Sequence, residues 1–304
     1  MPSLQHAVAS RIIPILRKNP PTDDLPALRD ALVERNRTDE DGPPSGVRHG
    51  HEEHISNDLG FPVYTFWKPR PGGEAPRRSF VYLHGGAYVR GFSAWHWRVV
   101  LPLADDLGAR AVLPAYPLAP EFDVGDSFEQ MVQLLTDVIA ESPDGVVLAG
   151  DSAGGGYALA VAEALRDRGG PQVDQLVLLA PWVDLTGSAP GTTEAAARDP
   201  WLSFEHLSIY ASFWAGSDDP AALADPRVSP GLADLTGLPP ALMFCGTRDL
   251  LQPGCDALFE KADAADWSLE YVVAPGLIHV YPLLPIPEGK AARDHILEFC
   301  RGPV

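Results

Sequence analysis

Short apolar runs alternate with helix-like stretches along most of this chain, and this alternation constrains the fold more than any other feature of the sequence. The runs are SFVYLHGG, RAVLPAYP, GVVLAGDS, VDQLVLLAPWV, PPALMFCGTRD and SLEYVVAPG. Strands that are buried on both faces and returned by helices form a parallel sheet. The pattern therefore predicts an α/β fold with a mostly parallel central sheet flanked by helices.

The alternation is absent from two segments, which we expect to lie outside the sheet. Residues 1–55 contain two weak helical patterns, the Pro-rich KNPPTDD and the polar, Gly/Pro-rich TDEDGPPSG. Residues 186–220 contain WLSFEHLSIYASFWAG, which is rich in aromatic residues at helical spacing. We expect residues 56–185 and 221–304 to form the sheet domain, and the other two segments to add a helical lid over its edge.

Composition excludes several classes of partner. The net charge of -18 opposes attraction to nucleic-acid phosphates and to anionic membrane surfaces. The three cysteines are odd in number and lack metal-ligand spacing, which predicts neither a disulfide framework nor a zinc site. No apolar run approaches the ~20 residues that span a bilayer, and the N-terminus lacks a secretory signal. We therefore expect a soluble, cytoplasmic protein without membrane insertion.

A serine stands at one junction between a predicted strand and a predicted helix. Gly150-Asp151-Ser152-Ala153-Gly154 fits G-x-S-x-G in the strand–turn–helix context that gives this pattern its meaning. Small residues two positions before and after the serine permit the strained turn that exposes its hydroxyl. The alternative is a serine that only caps the helix, so the assignment as a nucleophile depends on the other groups that such a serine needs.

The first of these groups is an oxyanion hole. The strand VYLHGG ends in His84-Gly85-Gly86-Ala87, upstream of the serine. Glycines at this position let backbone amides turn inward, and two such amides together with that of Ala153 can hold an alkoxide. A Gly-rich turn without this role is the alternative.

A base must also reach the serine. His279, in GLIHVYP, follows the predicted strand LEYVVA near the C-terminus, whereas His295 lies within a predicted helix. A third group of histidines, in RHGHEEH, has the residue types of a metal site but lies in a polar connector without a helical frame. We therefore assign His279 as the base and expect no metal.

The acid that orients the base is predicted to be Asp249, at the end of the buried strand ALMFCG. A carboxylate there can fix the tautomer of His279 and stabilise its charged form. Two other aspartates are alternatives. Asp225 precedes a proline before its strand, and Asp256 lies on a predicted helix.

These motifs together resemble the hormone-sensitive-lipase-like (bacterial family IV) carboxylesterases of the α/β-hydrolase superfamily. The resemblance covers about residues 80–304. It rests on HGGA at His84, YPLAPE at Tyr116, GDSAGG at Gly150, DPRVSP at Asp225, GTRDLL at Gly246 and GLIHVYP at Gly276, all in the family's order.

The resemblance implies an α/β-hydrolase fold with a helical cap and a Ser152–Asp249–His279 triad. It implies an oxyanion hole made by the amides of Gly86, Ala87 and Ala153, with Gly85 setting the turn. It implies no cofactor and no metal. The chain departs from the family in two motifs: Ala87 replaces the third glycine of HGGG, and Pro117 replaces the arginine of YRLAPE. The second variant is associated with esterases similar to monoterpene lactone hydrolases, which suggests an ester or lactone of a compact apolar molecule.

Aromatic residues near the predicted site suggest an apolar substrate pocket. They are Tyr88, Phe92, Trp201, Phe204, Tyr210, Phe213 and Trp214. A pocket of limited depth predicts a serine esterase that prefers acyl chains of roughly two to eight carbons and acts through an acyl-enzyme. The alternatives are a lactone hydrolase, an amide or formamide hydrolase with the same triad, and a non-catalytic receptor, which the complete triad disfavours. We expect a monomer or homodimer.

Overall fold

The computed structural model describes residues 2–16, 20–38, 42–70 and 72–302. Parts of KNPPTDD and TDEDGPPSG therefore lie outside the described residues.

The strands are β1 (Glu52–Ser56), β2 (Val63–Trp67), β3 (Ser79–Leu83), β4 (Arg110–Pro114), β5 (Val146–Asp151), β6 (Gln175–Leu179), β7 (Ala241–Gly246) and β8 (Leu269–Ala274). The helices are α1 (Leu4–Leu16), α2 (Leu25–Thr38), α3 (Ala94–Asp106), α4 (Phe128–Glu141), α5 (Ser152–Asp167), α6 (Thr192–Arg198), α7 (Phe204–Ala215), α8 (Pro220–Leu223), α9 (Gln252–Ala264) and α10 (Pro287–Arg301).

The strands form one sheet in the order β1-β2-β4-β3-β5-β6-β7-β8. Strand β2 is antiparallel to both of its neighbours, and every pair from β4 to β8 is parallel. Every residue of β3, β5, β6 and β7 is buried, which is why these strands appear in the sequence as continuous apolar runs. The predicted α/β fold with a mostly parallel sheet is confirmed.

Helices connect the parallel strands and cover the sheet. Helix α3 packs against α10, and α4 packs against α5. Helix α5 begins directly at the end of β5 and is buried along most of its length, because alanine and glycine dominate its sequence. This close packing holds the start of α5 at the carboxyl edge of the sheet.

One strand, β1, lies in the segment that the sequence predicts to be a polar connector. Strand β1 pairs with β2, with Ile55 opposite Tyr64, and four of its five residues are exposed. An exposed edge strand needs no apolar alternation, so the sequence carries no clear sign of it. Before this strand, His51 contacts the carboxylate of Asp105 at 3.1 Å. Among the described residues, no cluster of three or more potential metal-ligating side chains is present.

Helices α1 and α2 precede the sheet, and α6, α7 and α8 lie between β6 and β7. We refer to residues 186–220 as the insertion. Within the described parts of the chain, no helix is both long and apolar enough to cross a membrane.

Candidate active site

Ser152 lies in a strained turn between β5 and α5. Its φ is +52°, in the left-handed region that non-glycine residues rarely occupy. A side chain at Gly150 would collide with the backbone of Gly154, and one at Gly154 would collide with the carbonyl oxygen of Leu83. Glycine at these two positions therefore allows the tight turn that holds the Ser152 hydroxyl above the carboxyl edge of the sheet.

The structure brings three of the predicted site residues into one hydrogen-bonded series. Nε2 of His279 is 2.9 Å from Oγ of Ser152, and Nδ1 of His279 is 2.8 Å from Oδ2 of Asp249. The other carboxylate oxygen of Asp249 accepts the backbone N–H of Leu251 at 2.9 Å. All three side chains are buried, which keeps water from competing for these bonds.

The electrostatic environment favours the charged form of His279. Burial lowers its pKa, but the charge and hydrogen bond of Asp249, with the charges of Asp199 and Asp151, outweigh burial and raise the pKa above its ordinary value. Above this pKa, His279 is neutral and can accept the proton of Ser152. The imidazolium that forms is then stabilised by Asp249.

The loop after β3 lies beside Ser152 and is held from below by Asp151. Oδ1 of Asp151 accepts the backbone N–H of Gly85 and the hydroxyl of Tyr82, both at 2.8 Å, and lies 3.3 Å from Nε2 of His96. Burial raises the pKa of Asp151, but His96, Tyr82 and the Gly85 amide together hold it below its usual value. The amide of Gly85 is therefore engaged with Asp151.

Further along this loop, three consecutive residues have positive φ: Gly86 (121°), Ala87 (55°) and Tyr88 (62°). Gly86 and Ala87 line the same cleft as Ser152. Ala153 is fully buried as the second residue of α5, where backbone N–H groups lack an intrahelical partner. The alanine that departs from HGGG thus adopts the left-handed conformation that a glycine takes more easily.

His84, at the start of this loop, braces it. Its ring stacks on Tyr116 with 4.3 Å between centroids, and the Tyr116 hydroxyl donates a 2.6 Å hydrogen bond to the carbonyl oxygen of His84. Burial lowers the pKa of His84 to about 3, so this imidazole stays neutral. It therefore holds the loop in place without carrying a charge.

Ser152 opens into a cleft of about 800 Å³. One wall is helix α1, which contributes Leu4, Val8 and Ile12. The rest of the lining includes residues of the loop after β3, of the insertion and of the segment 279–286. The lining is mostly apolar, and its volume lies in the range of small-molecule sites.

Comparisons with known proteins agree with this arrangement. A model of the α/β-hydrolase fold family matches residues 80–283. The chain belongs to this family. An acetyl-hydrolase of Streptomyces hygroscopicus is 34% identical over 230 residues, which are 74% of this chain and 75% of that protein. The carboxylesterase NlhH of Mycobacterium tuberculosis is 30% identical over 231 residues, 72% of this chain and 70% of that protein.

Among solved structures, an esterase from the bacterial hormone-sensitive lipase family is 29% identical, has a TM-score of 0.78 and covers 99% of both chains. This α/β hydrolase is therefore one of the hormone-sensitive-lipase-like esterases, as its motifs predicted.

The alternatives that the sequence left open for the acid and the base have other partners in this hydrolase. His295 pairs with Glu270 at 2.9 Å. Asp225 pairs with Arg227 at 2.7 Å, and Asp256 accepts the hydroxyl of Tyr271 at 2.8 Å. These contacts give each of them a local structural role.

The structure brings only some of the predicted pocket aromatics to the cleft. Phe92, Trp201 and Tyr210 line it, and the Trp201 ring packs edge-on against His279 with 5.5 Å between centroids. Tyr88 and Trp214 instead stack on each other in the core, 4.2 Å apart.

The remaining two predicted pocket residues, Phe204 and Phe213, are on helix α7 but do not line the cleft. Phe204 borders a separate cavity of about 30 Å³. Phe213 lies 5.7 Å from the guanidinium of Arg29. The helical spacing of the aromatics does not identify which face of α7 meets the cleft.

Sequence reasoning missed several residues that contact this site. Asp151 lies inside the serine motif itself, so its position was a usable signal. The apolar stripe of α1, with Leu4, Val8 and Ile12 four residues apart, was another such signal, because a helix with an apolar face packs against something. No sequence pattern pointed to His6, His96 or Asp199.

Proposed function

We propose that this α/β hydrolase is a serine carboxylesterase that hydrolyses short- to medium-chain apolar esters through an acyl-enzyme. The observation that carries the proposal is the series Ser152–His279–Asp249, with contacts of 2.9 and 2.8 Å, at a mostly apolar cleft. The names of its relatives, acetyl-hydrolase and carboxylesterase, are consistent with this activity.

In the acylation step, Nε2 of His279 takes the hydroxyl proton as Oγ of Ser152 bonds to the ester carbonyl carbon. The carbonyl oxygen becomes an oxyanion, which accepts hydrogen bonds from the amides of Gly86, Ala87 and Ala153. The bond to the alkoxy oxygen then breaks, and His279 returns the proton to the leaving alcohol.

Deacylation repeats the same sequence with water. His279 takes a proton from water as the water oxygen bonds to the acyl carbon. His279 then returns this proton to Oγ of Ser152 as the bond between Oγ and the acyl carbon breaks, which releases the acid and restores the serine. Asp249 keeps the imidazole oriented and stabilises its charge in both steps. No metal or cofactor takes part in this scheme.

We propose acyl chains of roughly two to eight carbons as substrates of this cleft. Its apolar wall on α1 offers burial to methylene groups, each worth about 0.8 kcal/mol. A compact lactone is the second candidate substrate, because a cleft of about 800 Å³ admits a ring as well as a linear chain. An amide or formamide substrate would use the same groups.

The proposal extends to domain organisation and location. Residues 1–55 and 186–220 form a cap over the cleft, and residues 56–185 and 221–304 form the catalytic domain. The three cysteines are free and buried, which favours a reducing, cytoplasmic location. We propose a monomer or homodimer, to be distinguished by sedimentation.

The deciding experiment compares Ser152→Ala with Ser203→Ala, since Ser203 is a second serine that lines the cleft. We expect Ser152→Ala to lose hydrolysis of 4-nitrophenyl butyrate and labelling by an organophosphonate, while Ser203→Ala keeps both. Hydrolysis that survives in Ser152→Ala would refute the proposed nucleophile. A panel of linear esters, lactones and an anilide then ranks the substrate classes.

A further inference from the structure

Two hydrogen bonds join segments outside the central sheet to the backbone beside the proposed triad. The residue after Asp249 is Leu250, and its N–H donates to Oδ2 of Asp199 in the insertion at 2.7 Å. The residue before His279 is Ile278, and its N–H donates to Nε2 of His6 in α1 at 3.2 Å. The residues next to the acid and the base are thus both hydrogen-bonded to side chains from outside the sheet.

We propose that Asp199 and His6 are positioning residues, which fix the loops that carry Asp249 and His279 in the geometry needed for catalysis. The inference rests on the proposed function of the triad. It makes α1 and the insertion part of the catalytic apparatus in addition to walls of the cleft.

Asp199 has the contacts expected of such an anchor. Its Oδ1 accepts the N–H groups of Trp201 and Leu202 at 2.7 and 2.9 Å, which fixes the carboxylate within its own segment. Its Oδ2 is then directed to Leu250. Trp201, two residues further on, packs against the ring of His279. One short stretch of the insertion therefore touches the loops of both the acid and the base.

Asp199 also contributes its charge. Burial and the nearby Asp249 carboxylate raise the pKa of Asp199, although the N–H groups of Leu202 and Trp201 and the charge of His279 oppose them. Three carboxylates, Asp249, Asp199 and Asp151, raise the pKa of His279 against the effect of burial. Asp199 thus stabilises the imidazolium that forms during each chemical step.

His6 can hold Ile278 only as a neutral imidazole, because Nε2 must accept a hydrogen bond. Burial lowers the pKa of His6, Arg248 lowers it further, and Glu288 opposes both. Glu288 at the start of α10 also accepts the hydroxyl of Ser3 at 2.8 Å, which fixes the end of α1 beside this contact. His6 is almost fully buried, so water does not replace it as the acceptor.

The test for Asp199 uses two variants and a control. Asp199→Ala removes every acceptor, and Asp199→Asn has a single amide oxygen that cannot serve both sets of N–H donors. We expect kcat to fall about 10- to 100-fold with KM changed less than about threefold, because misplaced groups slow the chemical step more than binding. We also expect the acidic limb of the pH profile of kcat/KM to move to lower pH, since a charge that raises the pKa of His279 is gone.

The control is Asp184→Asn. Asp184 also accepts backbone N–H groups, those of Thr186 and Ser188, but these bonds stay within its own turn. We expect its kcat and pH profile to match those of the unaltered protein. A purely structural role for Asp199 would change the melting temperature of the Asp199 variants and leave their kcat and pH profile unchanged, which would overturn the proposal.

The test for His6 compares a variant without an acceptor to one that supplies it. His6→Leu leaves the N–H of Ile278 unpaired, whereas His6→Gln offers an amide oxygen at a similar distance from the backbone. We expect about a tenfold loss of kcat in His6→Leu and recovery of most of it in His6→Gln. Equal kcat in His6→Leu and the unaltered protein, or no recovery in His6→Gln, would overturn the role of this hydrogen bond.

Phosphonate labelling of Ser152 separates this inference from the proposed function. If the unaltered protein is not labelled, the proposed function fails. If it is labelled, and Asp199→Ala, Asp199→Asn and His6→Leu react at the same rate as the unaltered protein, the function stands and the inference fails. If Asp199→Ala does not fold, Asp199→Asn decides the outcome for Asp199. If His6→Leu does not fold, His6→Asn, whose shorter side chain does not reach the N–H of Ile278, takes its place.

Discussion

The backbone N–H of Gly85 donates a 2.8 Å hydrogen bond to Oδ1 of Asp151, the residue immediately before Ser152. This bond joins the loop proposed to hold the oxyanion to the turn proposed to hold the nucleophile. Because the same carboxylate also binds Tyr82 and lies 3.3 Å from His96, it is fixed on several sides. The relative position of nucleophile and oxyanion hole therefore depends on one buried carboxylate.

We predict that Asp151→Ala lowers kcat about 10²-fold, because a loop displaced by even about 1 Å no longer aims its amides at the oxyanion. Alanine removes the Oδ1 atom that accepts hydrogen bonds from Gly85 and Tyr82 and lies 3.3 Å from His96. Steady-state kinetics with 4-nitrophenyl butyrate measures the effect, with circular dichroism to verify folding. Unchanged kcat in a folded variant would show that the loop is held without Asp151.

We predict that kcat/KM falls as the pH is lowered, with a midpoint above pH 6.5. Asp249 and its neighbours raise the pKa of His279, so its proton is lost only at higher pH, and only the neutral form accepts a proton from Ser152. Asp249→Asn removes the main stabilising charge, so its midpoint should move to lower pH while kcat falls about 10³-fold or more. A midpoint at or below 6.5 in the unaltered protein would contradict this account.

Because α1 forms one wall of the cleft, a larger side chain on that wall should change the preference for acyl-chain length. Ile12 lines the cleft, so Ile12→Trp should raise KM for 4-nitrophenyl octanoate about tenfold and leave the acetate ester nearly unaffected. Ile15 lies on the same helix, is 67% exposed and is not part of the cleft lining. Ile15→Trp is therefore the matched control, and equal effects of the two substitutions would exclude α1 as a specific acyl wall.

A buried carboxyl group that does not line the cleft predicts a pH dependence of stability. Glu163 on α5 is buried, and neither side-chain oxygen has a hydrogen-bond partner among the described residues. Burial raises its pKa to about 9, although Arg166 and Lys261 oppose this. The unfolded chain ionises near pH 4.5 while the folded protein keeps Glu163 protonated, so stability is lost as pH rises from about 4.5 to about 9.

Glu163→Gln is neutral throughout this range and should remove that loss. From pH 5 to pH 8, we expect the free energy of unfolding of the variant to rise relative to the unaltered protein by on the order of 2–4 kcal/mol. Urea denaturation at both pH values measures the difference. Parallel pH dependence in the two proteins would show that Glu163 does not titrate as described.

The sequence anticipated the fold because its signals are local. Continuous apolar runs identified the buried strands β3, β5, β6 and β7. Strand β1 was missed because an exposed edge strand has no apolar pattern of its own. The positions of Ser152, Asp249 and His279 at strand ends followed from the same local signals, since the carboxyl ends of parallel strands meet at one edge.

The sequence by itself determined the buried strands and the family, because apolar periodicity and tight-turn motifs are properties of neighbouring residues. Only the tertiary structure decided which aromatics face the cleft: Trp214 satisfies the same helical spacing as Tyr210, but it stacks on Tyr88 in the core. It also decided that Asp199 meets Leu250 and that His6 meets Ile278. Such contacts join residues about 50 and 270 positions apart, and a periodic pattern cannot specify them because they depend on how whole elements pack.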